Sequence, residues 1–344
     1  MLFISRTIVN ITYSVYVTDT RNMWEYITSC GITFILTLFM AMPVYYMNKK
    51  FNGESVLDVS YNIFNRVGTV IAIIYAVYFV WVLCYTLSLF DLFVTDLMNP
   101  KISSVALSLA VIGASIYGSY KGVEALARSS SIVFISIVAL VLFIVCALFS
   151  QVDKLNIEPL FNNGVNATVD GVLFMIARNS CIPVMAVALS LTNGGDTKIK
   201  KGIFWWCFGI YATSAVLIYL SVGVLGRYYL ATQTFPIYTV ASVAQIGIFK
   251  RLDAVFLGVW TAGIFIKSSL FIYLVSLCIK KIWGEKASKI AIAVTGAIVF
   301  LCSFGISSSQ TMVDILFNNY ILLSLTILTA VVIPLILLLK KRRA

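Results

Sequence analysis

The sequence predicts an all-α integral membrane protein of about ten transmembrane helices, divided into two groups of five. Three observations predict it. The chain is 60% hydrophobic and only 11% charged over 344 residues, too few charges to clothe a soluble surface of this size, since soluble domains carry about a quarter charged residues. Apolar runs recur at lengths near the roughly 20 residues needed to cross ~30 Å of hydrocarbon. Lys and Arg alternate in density from one connection to the next, as they do when loops lie on opposite sides of a bilayer.

The spans are read in order. The first group comprises Leu2–Val17, Ile27–Met47, Val67–Phe93, Ile102–Tyr120 and Ser131–Ser150. A polar connection, Gln151–Asp170, follows. The second group comprises Gly171–Leu191, Ile203–Leu225, Ala254–Ile279, Ile290–Phe304 and Ile315–Leu339. The domain reading is therefore 1–150, 151–170 and 171–344, the last ending in a short basic tail. Two connections carry apolar patterns of their own. Ser55–Asn65 reads as a short helix on the cytoplasmic interface, with Val56, Leu57, Ile63 and Phe64 among polar residues. Pro236–Phe249 starts with a proline suited to a first helical turn, and its Ile237, Val240, Ala244 and Ile248 recur near helical spacing. It is expected on the outer surface, over an outward-facing vestibule.

Charge orients the spans. The even-numbered connections and the C-terminus hold sixteen basic residues, among them Lys49, Lys50, Lys121, Lys198, Lys280 and Lys340, against six in the odd-numbered connections: Arg21, Lys101, Lys154, Arg227, Lys250 and Arg251. Excess Lys and Arg marks the cytoplasmic side, so both termini are expected inside. An even number of spans requires the same. The net charge of +11 is thus a membrane signature and does not point to nucleic acid. The first apolar run carries Arg6 and Asn10 and ends on no small-residue cleavage site, so no cleavable signal peptide is read.

Composition also excludes chemistry. There is no histidine, which removes His-based triads, His metal sites and imidazole shuttles. The seven cysteines form no CxxC pair and read as small buried hydrophobes. No nucleophile–base pair supports an enzyme, and no metal or cofactor is expected.

Five is odd, so the two halves enter the membrane from opposite sides, the condition for an inverted-topology repeat. The first span of each half is the least comfortable in lipid. Span one contains Arg6, Asn10, Thr12 and Ser14; span six contains Arg178, Asn179, Ser180, Cys181 and Pro183. An internal proline removes a helical hydrogen bond, and bare backbone at membrane depth survives only where protein or a watery cavity covers it. Interruptions at matching positions are the sequence pointer to a transporter binding site, whose helix ends offer N–H groups to a carboxylate and carbonyls to an amine or cation. Asn10, Thr12, Ser14, Asn179, Ser180, Cys181, Pro183 and Trp260 are the candidate substrate-binding residues. The alternative is an ordinary proline kink with polar contacts between helices.

Charges within spans add candidates. Lys267 lies roughly 18 Å from either end of its span at 1.5 Å per residue, too deep to snorkel, and Ser268 and Ser269 follow it. A structural lysine on unwound carbonyls is one reading; a lysine that titrates with transport or replaces a metal cation is the other. Lys267, Ser268 and Ser269 are the ion- or proton-coupling candidates. Arg178 and Asp91 are candidates for an outer gate, although an interfacial carboxylate is the plainer reading of Asp91. Tyr78, Trp81, Tyr85, Trp260 and Phe265 could line a cavity, although aromatics in membrane spans more often face lipid or pack.

Thr234-Phe-Pro-Ile-Tyr238, then the run Ala244–Phe256, then Phe265-Ile-Lys-Ser-Ser-Leu-Phe-Ile-Tyr273 resembles the spore germination permease family, which supplies the B subunit of germinant receptors in endospore-forming bacteria. Its members show FP-x-Y, I-x-x-F-x-R-x-[ED]-A-x-F and F-x-K-x-S-x-F-x-Y in this order. Gly122-Val-Glu-Ala-Leu-Ala-Arg128 is similar to the family's G-x-E-x-x-A-R. Arg251, Asp253, Lys267 and Ser269 match the pattern position by position. The resemblance implies the amino acid–polyamine–organocation superfamily, with a LeuT-like 5+5 inverted repeat and broken helices one and six. It implies a small nutrient ligand such as an amino acid, and as partners an A-type membrane subunit and a C-type lipoprotein in the plasma membrane of a spore former. In that superfamily helix eight contributes to a cation site near helix one, where the Lys267 ammonium would fall. The chain departs from the family in having Asn179-Ser180 where many members carry Gly-Glu, and in a shorter N-terminus. A secondary transporter of amino acids or amines is the alternative function.

Overall fold

The computed structural model describes residues 1–4, 23–95, 104–157, 164–192, 196–233, 235–244, 253–306 and 318–340. Spans two to ten of the sequence reading fall within them, except for residues 102–103 of span four and 315–317 of span ten, which lie outside. The body of span one, with Arg6, Asn10, Thr12 and Ser14, lies outside.

Eight helical stretches among the described residues are long and apolar enough to cross a membrane. They hold nine of the predicted spans, because spans four and five run together as Ser104–Leu148. The chain folds back at Gly122, whose φ of 85° and ψ of 175° interrupt the helix. Only glycine takes that conformation without strain, so a pair of spans is joined by a single residue where the sequence suggested a ten-residue loop.

Span two is Met23–Lys50, with Glu25 in its first turn and Lys49 and Lys50 in its last, charges that suit the helix dipole at both ends. The short helix expected at Ser55–Asn65 is Val56–Phe64. The Ser55 side chain caps it by accepting from the Asp58 N–H at 3.1 Å. Val56, Leu57, Val59 and Ile63 are buried. Span three, Gly68–Phe93, follows after a short 3₁₀ turn. The sixth span begins at Gly164, inside the stretch read as a loop. The remaining spans are Asp196–Leu225, Asp253–Trp283, Glu285–Ile306 and a tenth that runs from Asn319 to Leu339 through a π-helical segment, Leu328–Val332. Pro334 lies just beyond that segment and has no N–H to give the Thr329 carbonyl; the Tyr75 hydroxyl donates to it instead.

The helix expected at Pro236–Phe249 is shorter, Pro236–Val243, with the proline in its first turn. Its apolar stripe is real: Ile237, Val240 and Ala244 are buried. Ile248 lies outside the described residues.

The spans pack in two groups. Spans three, four, eight and nine pack on one another, and span two packs on six, seven and ten. Counterparts of the two halves touch: two on seven, three on eight, and four on nine, where Ile112 and Ile116 lie against Gly296. Each half thus packs against the other through equivalent helices, as an inverted repeat requires. Large apolar side chains such as Phe39, Ile135 and Leu301 face outward, an arrangement that lipid stabilises and water would not. Five cysteines are buried as expected; Cys146 and Cys302 are exposed.

Candidate functional site

Span six is broken. Helix Gly164–Ala177 stops, Arg178, Asn179 and Ser180 cross as irregular backbone, and a second helix runs Cys181–Ala188. The sequence reading placed the interruption on Pro183. Pro183 instead occupies the first turn of the resumed helix, where N–H groups have no intrahelical acceptor and a missing one costs nothing. The break precedes the proline.

Several groups at the break are held by other spans. The Ala177 carbonyl accepts from Thr326 Oγ1 of span ten at 3.0 Å, and Thr326 lies 3.2 Å from the Tyr78 hydroxyl of span three. Arg178 is buried, its guanidinium 3.8 Å from the Phe174 ring centroid. It donates from Nε to the Tyr85 hydroxyl at 3.0 Å and from Nη1 to Asn319 Oδ1. Asn179 donates through Nδ2 to Thr37 Oγ1 at 3.2 Å and to the Tyr211 hydroxyl at 3.4 Å. Thr37 and Tyr211 are themselves bonded at 2.7 Å, so spans two, six and seven meet at one polar knot.

Two acceptors in this knot are buried without a hydrogen-bond partner: Asn179 Oδ1 and Ser180 Oγ. Both residues are at most 2% exposed. The helix that resumes at Cys181 has no side-chain cap, because Ser180, the residue at the cap position, takes helical backbone angles. Cys181 Sγ donates to the Leu2 carbonyl at 3.4 Å, which brings the beginning of the chain to the break. Beside Ser180 is a cavity of ≈ 10 Å³ lined by Tyr78, Val82, Tyr85, Arg178 and Leu322, about the room of one water. The site is closed in this conformation.

The other candidates fall elsewhere. Trp260 is buried in an aromatic cluster, 4.2 Å from Phe93 and 5.4 Å from Phe90 between ring centroids. Phe93 in turn packs on Phe235 and Tyr238 at the start of the short Pro236–Val243 helix. Asp91 accepts from Ser108 of span four. Arg178 is committed to Tyr85 and Asn319, so Asp91 and Arg178 form no ion pair with each other. Lys267 is completely buried, its ammonium 5.7 Å from the Phe271 ring centroid. Ser268 Oγ beside it is buried without a hydrogen-bond partner. The Ser269 hydroxyl donates to the Phe265 carbonyl, and its own carbonyl accepts from Ser119 at 2.8 Å. Spans four and eight approach closely there, with Gly118 against the Ser269 side chain. Asn10, Thr12 and Ser14 lie outside the described residues. Among the described residues, no group of three or more acidic or cysteine side chains gathers as a metal site.

Thr37, Tyr211, Thr326 and Asn319 escaped the sequence reading. Single polar side chains are frequent in apolar spans, and nothing in their spacing announces that three different helices deliver them to the break.

A larger cavity of ≈ 730 Å³ opens on the other side of the second half-helix. It is lined by Met1–Phe3, Val123, Glu124, Val184, Met185, Trp206 and Leu270. Its lining includes the turn between spans four and five and the end of span six, beside the basic connections at Lys121 and Arg128.

The fold and the broken helix together define a permease-like membrane protein of LeuT-like architecture. A solved Na+-coupled sialic acid symporter in a substrate-bound, outward-open state is similar over 96% of this chain and 79% of its own, with a TM-score of 0.63 at 14% sequence identity. That likeness shows the fold. The family model described as spore germination protein matches residues 6–311, and the chain belongs to that spore permease family. Relatives in Bacillus subtilis (strain 168) agree. The putative spore germination protein YfkT is 22% identical over 289 residues, 83% of this chain and 77% of its own. Spore germination protein KB is 22% identical over 228 residues, 64% of this chain and 60% of its own.

Proposed function

We propose that this chain is the permease-like subunit of a germinant receptor, binding a small nutrient of amino-acid type at the break in span six. The observation that carries the reading is the pair of buried, unpartnered acceptors beside an uncapped helix start. Asn179 Oδ1 accepts from an ammonium; Ser180 Oγ and the first N–H groups of Cys181–Ala188 donate to a carboxylate. Leaving such groups buried and unsatisfied costs about 1–3 kcal/mol each, a cost that a zwitterionic ligand removes. Ligand entry requires the closed site to open, so a nutrient that favours one state shifts the population of states through its differential affinity. That shift is the signal to partner subunits, an A-type membrane subunit and a C-type lipoprotein, in the plasma membrane of a spore former with both termini inside. Lys267 supplies a fixed, buried cation on span eight; the similar solved structure is that of a symporter described as Na+-coupled.

The second reading, secondary transport of amino acids or amines, is favoured by one feature. The ≈ 730 Å³ cavity at the end of span six is the kind of vestibule through which a released substrate would leave.

The test is a thermal-shift and calorimetric screen of the purified chain in nanodiscs against the common amino acids and amines. One or a few should raise the melting temperature in wild type and fail to do so in Ser180→Ala and Asn179→Leu. No stabilising ligand, or stabilisation that survives both changes, overturns the proposed site. Saturable uptake of the same ligand into proteoliposomes decides for transport over sensing.

A further inference from the structure

The short helix Val56–Phe64 lies across the seam between the two groups of spans. On one side it packs on spans three and eight. On the other it packs on span two, on the end of span ten and on the second half-helix of span six, Cys181–Ala188. A helix resting on a membrane surface keeps its apolar face in lipid. Here Val56, Leu57, Val59, Ser60 and Ile63 are all buried by protein. The helix is also seated closely on the start of span three, where the Ser60 carbonyl and the Tyr61 Cα leave no room for a Cβ at position 68.

The half-helix Cys181–Ala188 thus has two unlike surroundings. Val184, Met185 and Ala188 line the ≈ 730 Å³ cavity, which gives it room, and elsewhere it packs on helices, among them Val56–Phe64. One side chain fastens Val56–Phe64 to span eight. Lys281, in the last turn of that span, donates to Asp58 Oδ1 at 2.7 Å, and its ammonium lies 5.1 Å from the Tyr61 ring centroid. Asp58 and Tyr61 are three residues apart, so one face of the short helix presents both. Asp58 Oδ2 accepts from Ser55 Oγ at 2.6 Å, so the same carboxylate secures the helix start and takes the lysine. The Lys281 and Asp58 side chains are 32% and 44% exposed. Ion pairs this exposed are weak and screened by salt, which suits a contact that is made and broken repeatedly.

We propose that Val56–Phe64 is a releasable latch on the second half-helix of span six. With the Lys281–Asp58 pair made, it braces Cys181–Ala188 in place. With the pair broken, the brace loosens and the half-helix gains the freedom that the cavity beside it allows. The break at Arg178–Ser180 leads directly into this half-helix, so a movement that starts there reaches an exposed ion pair at the basic end of the bundle. The latch acts on the half-helix whatever binds at the break, and its test needs no ligand.

Hydrogen–deuterium exchange of the full chain in nanodiscs, read by mass spectrometry without nutrient, tests this. Lys281→Gln and Asp58→Asn should each speed exchange in peptides covering 56–64 and 181–191 by about two- to fivefold, the population change that an ion pair of this exposure supplies. The double change should add nothing to either single one, because both remove the same contact. Lys281→Arg keeps the charge and the ring contact and should stay near wild type. High salt should bring wild type to the level of Lys281→Gln and leave that variant unmoved, a comparison that needs no change at the Ser55 cap. Span nine, Glu285–Ile306, should exchange alike in all of them. Wild-type rates at 181–191 in both single variants overturn the proposal. So does an increase shared equally by span nine, which is general loss of fold. Loosening of 56–64 with 181–191 unmoved makes the pair a local fastening and overturns it as well.

Discussion

The Thr326 hydroxyl of span ten donates at 3.0 Å to the Ala177 carbonyl, the last of the helix that ends at the break in span six. A carbonyl left open at membrane depth would otherwise have neither water nor a helical N–H to accept from. Thr326→Val keeps the shape and removes the donor. It should destabilise the fold by about 1–2 kcal/mol, seen as a lower melting temperature in detergent, while Thr326→Ser stays near wild type. A Val variant as stable as the Ser variant would show that the break is held by other contacts.

Arg178 holds spans three and ten through one planar group, bonding Tyr85 and Asn319 while stacking on Phe174. Lysine carries the charge without the fork. Arg178→Lys should therefore lose germinant response about as severely as Arg178→Gln, with insertion into the membrane unchanged. A Lys variant with full response in spores would mean that charge alone matters there.

Lys267 is fully buried among apolar helices, where an ammonium costs about 2.5–3.5 kcal/mol on insertion scales. Lys267→Met preserves length and removes the charge. The variant should insert, yet bind nutrient at least about tenfold more weakly. Normal binding by a well-folded Met variant would remove Lys267 from the ligand site.

Gly68 is required for a different reason. A Cβ there would lie 2.6 Å from the Ser60 carbonyl oxygen and 2.8 Å from the Tyr61 Cα, both backbone atoms of the short helix that precedes span three. Backbone cannot rotate away as a side chain can, so Gly68→Ala should displace that helix and strain the Asp58–Lys281 ion pair that ties it to span eight. The expected result is a loss of about 1–3 kcal/mol in stability and faster proteolysis near residues 50–67. Gly31→Ala, with open space around its Cβ, is the neutral control.

Much of the architecture was legible because its causes are local. Apolar runs long enough to span, basic residues at their ends, and Ser55 ahead of an amphipathic turn are written in consecutive residues. The break in span six was legible too, from Arg178, Asn179, Ser180 and Pro183 crowded into six positions. Its exact place was not: a proline is equally at home inside a kink and in a first turn, and only the folded chain chose the first turn. The gate suggested by Asp91 and Arg178 shows the same limit, since opposite charges on different helices do not reveal that Ser108, Tyr85 and Asn319 lie nearer.

By itself the sequence determined the membrane class, the two halves of five spans, the family, and the depth at which Lys267 must be buried. Tertiary structure alone decided the rest. It joined Thr37, Asn179 and Tyr211 from three helices and left Asn179 Oδ1 and Ser180 Oγ without partners. The physical reason is the same in each case. Helix formation depends on neighbours in the chain, whereas a site depends on which faces of distant helices meet, and that is settled only when they pack.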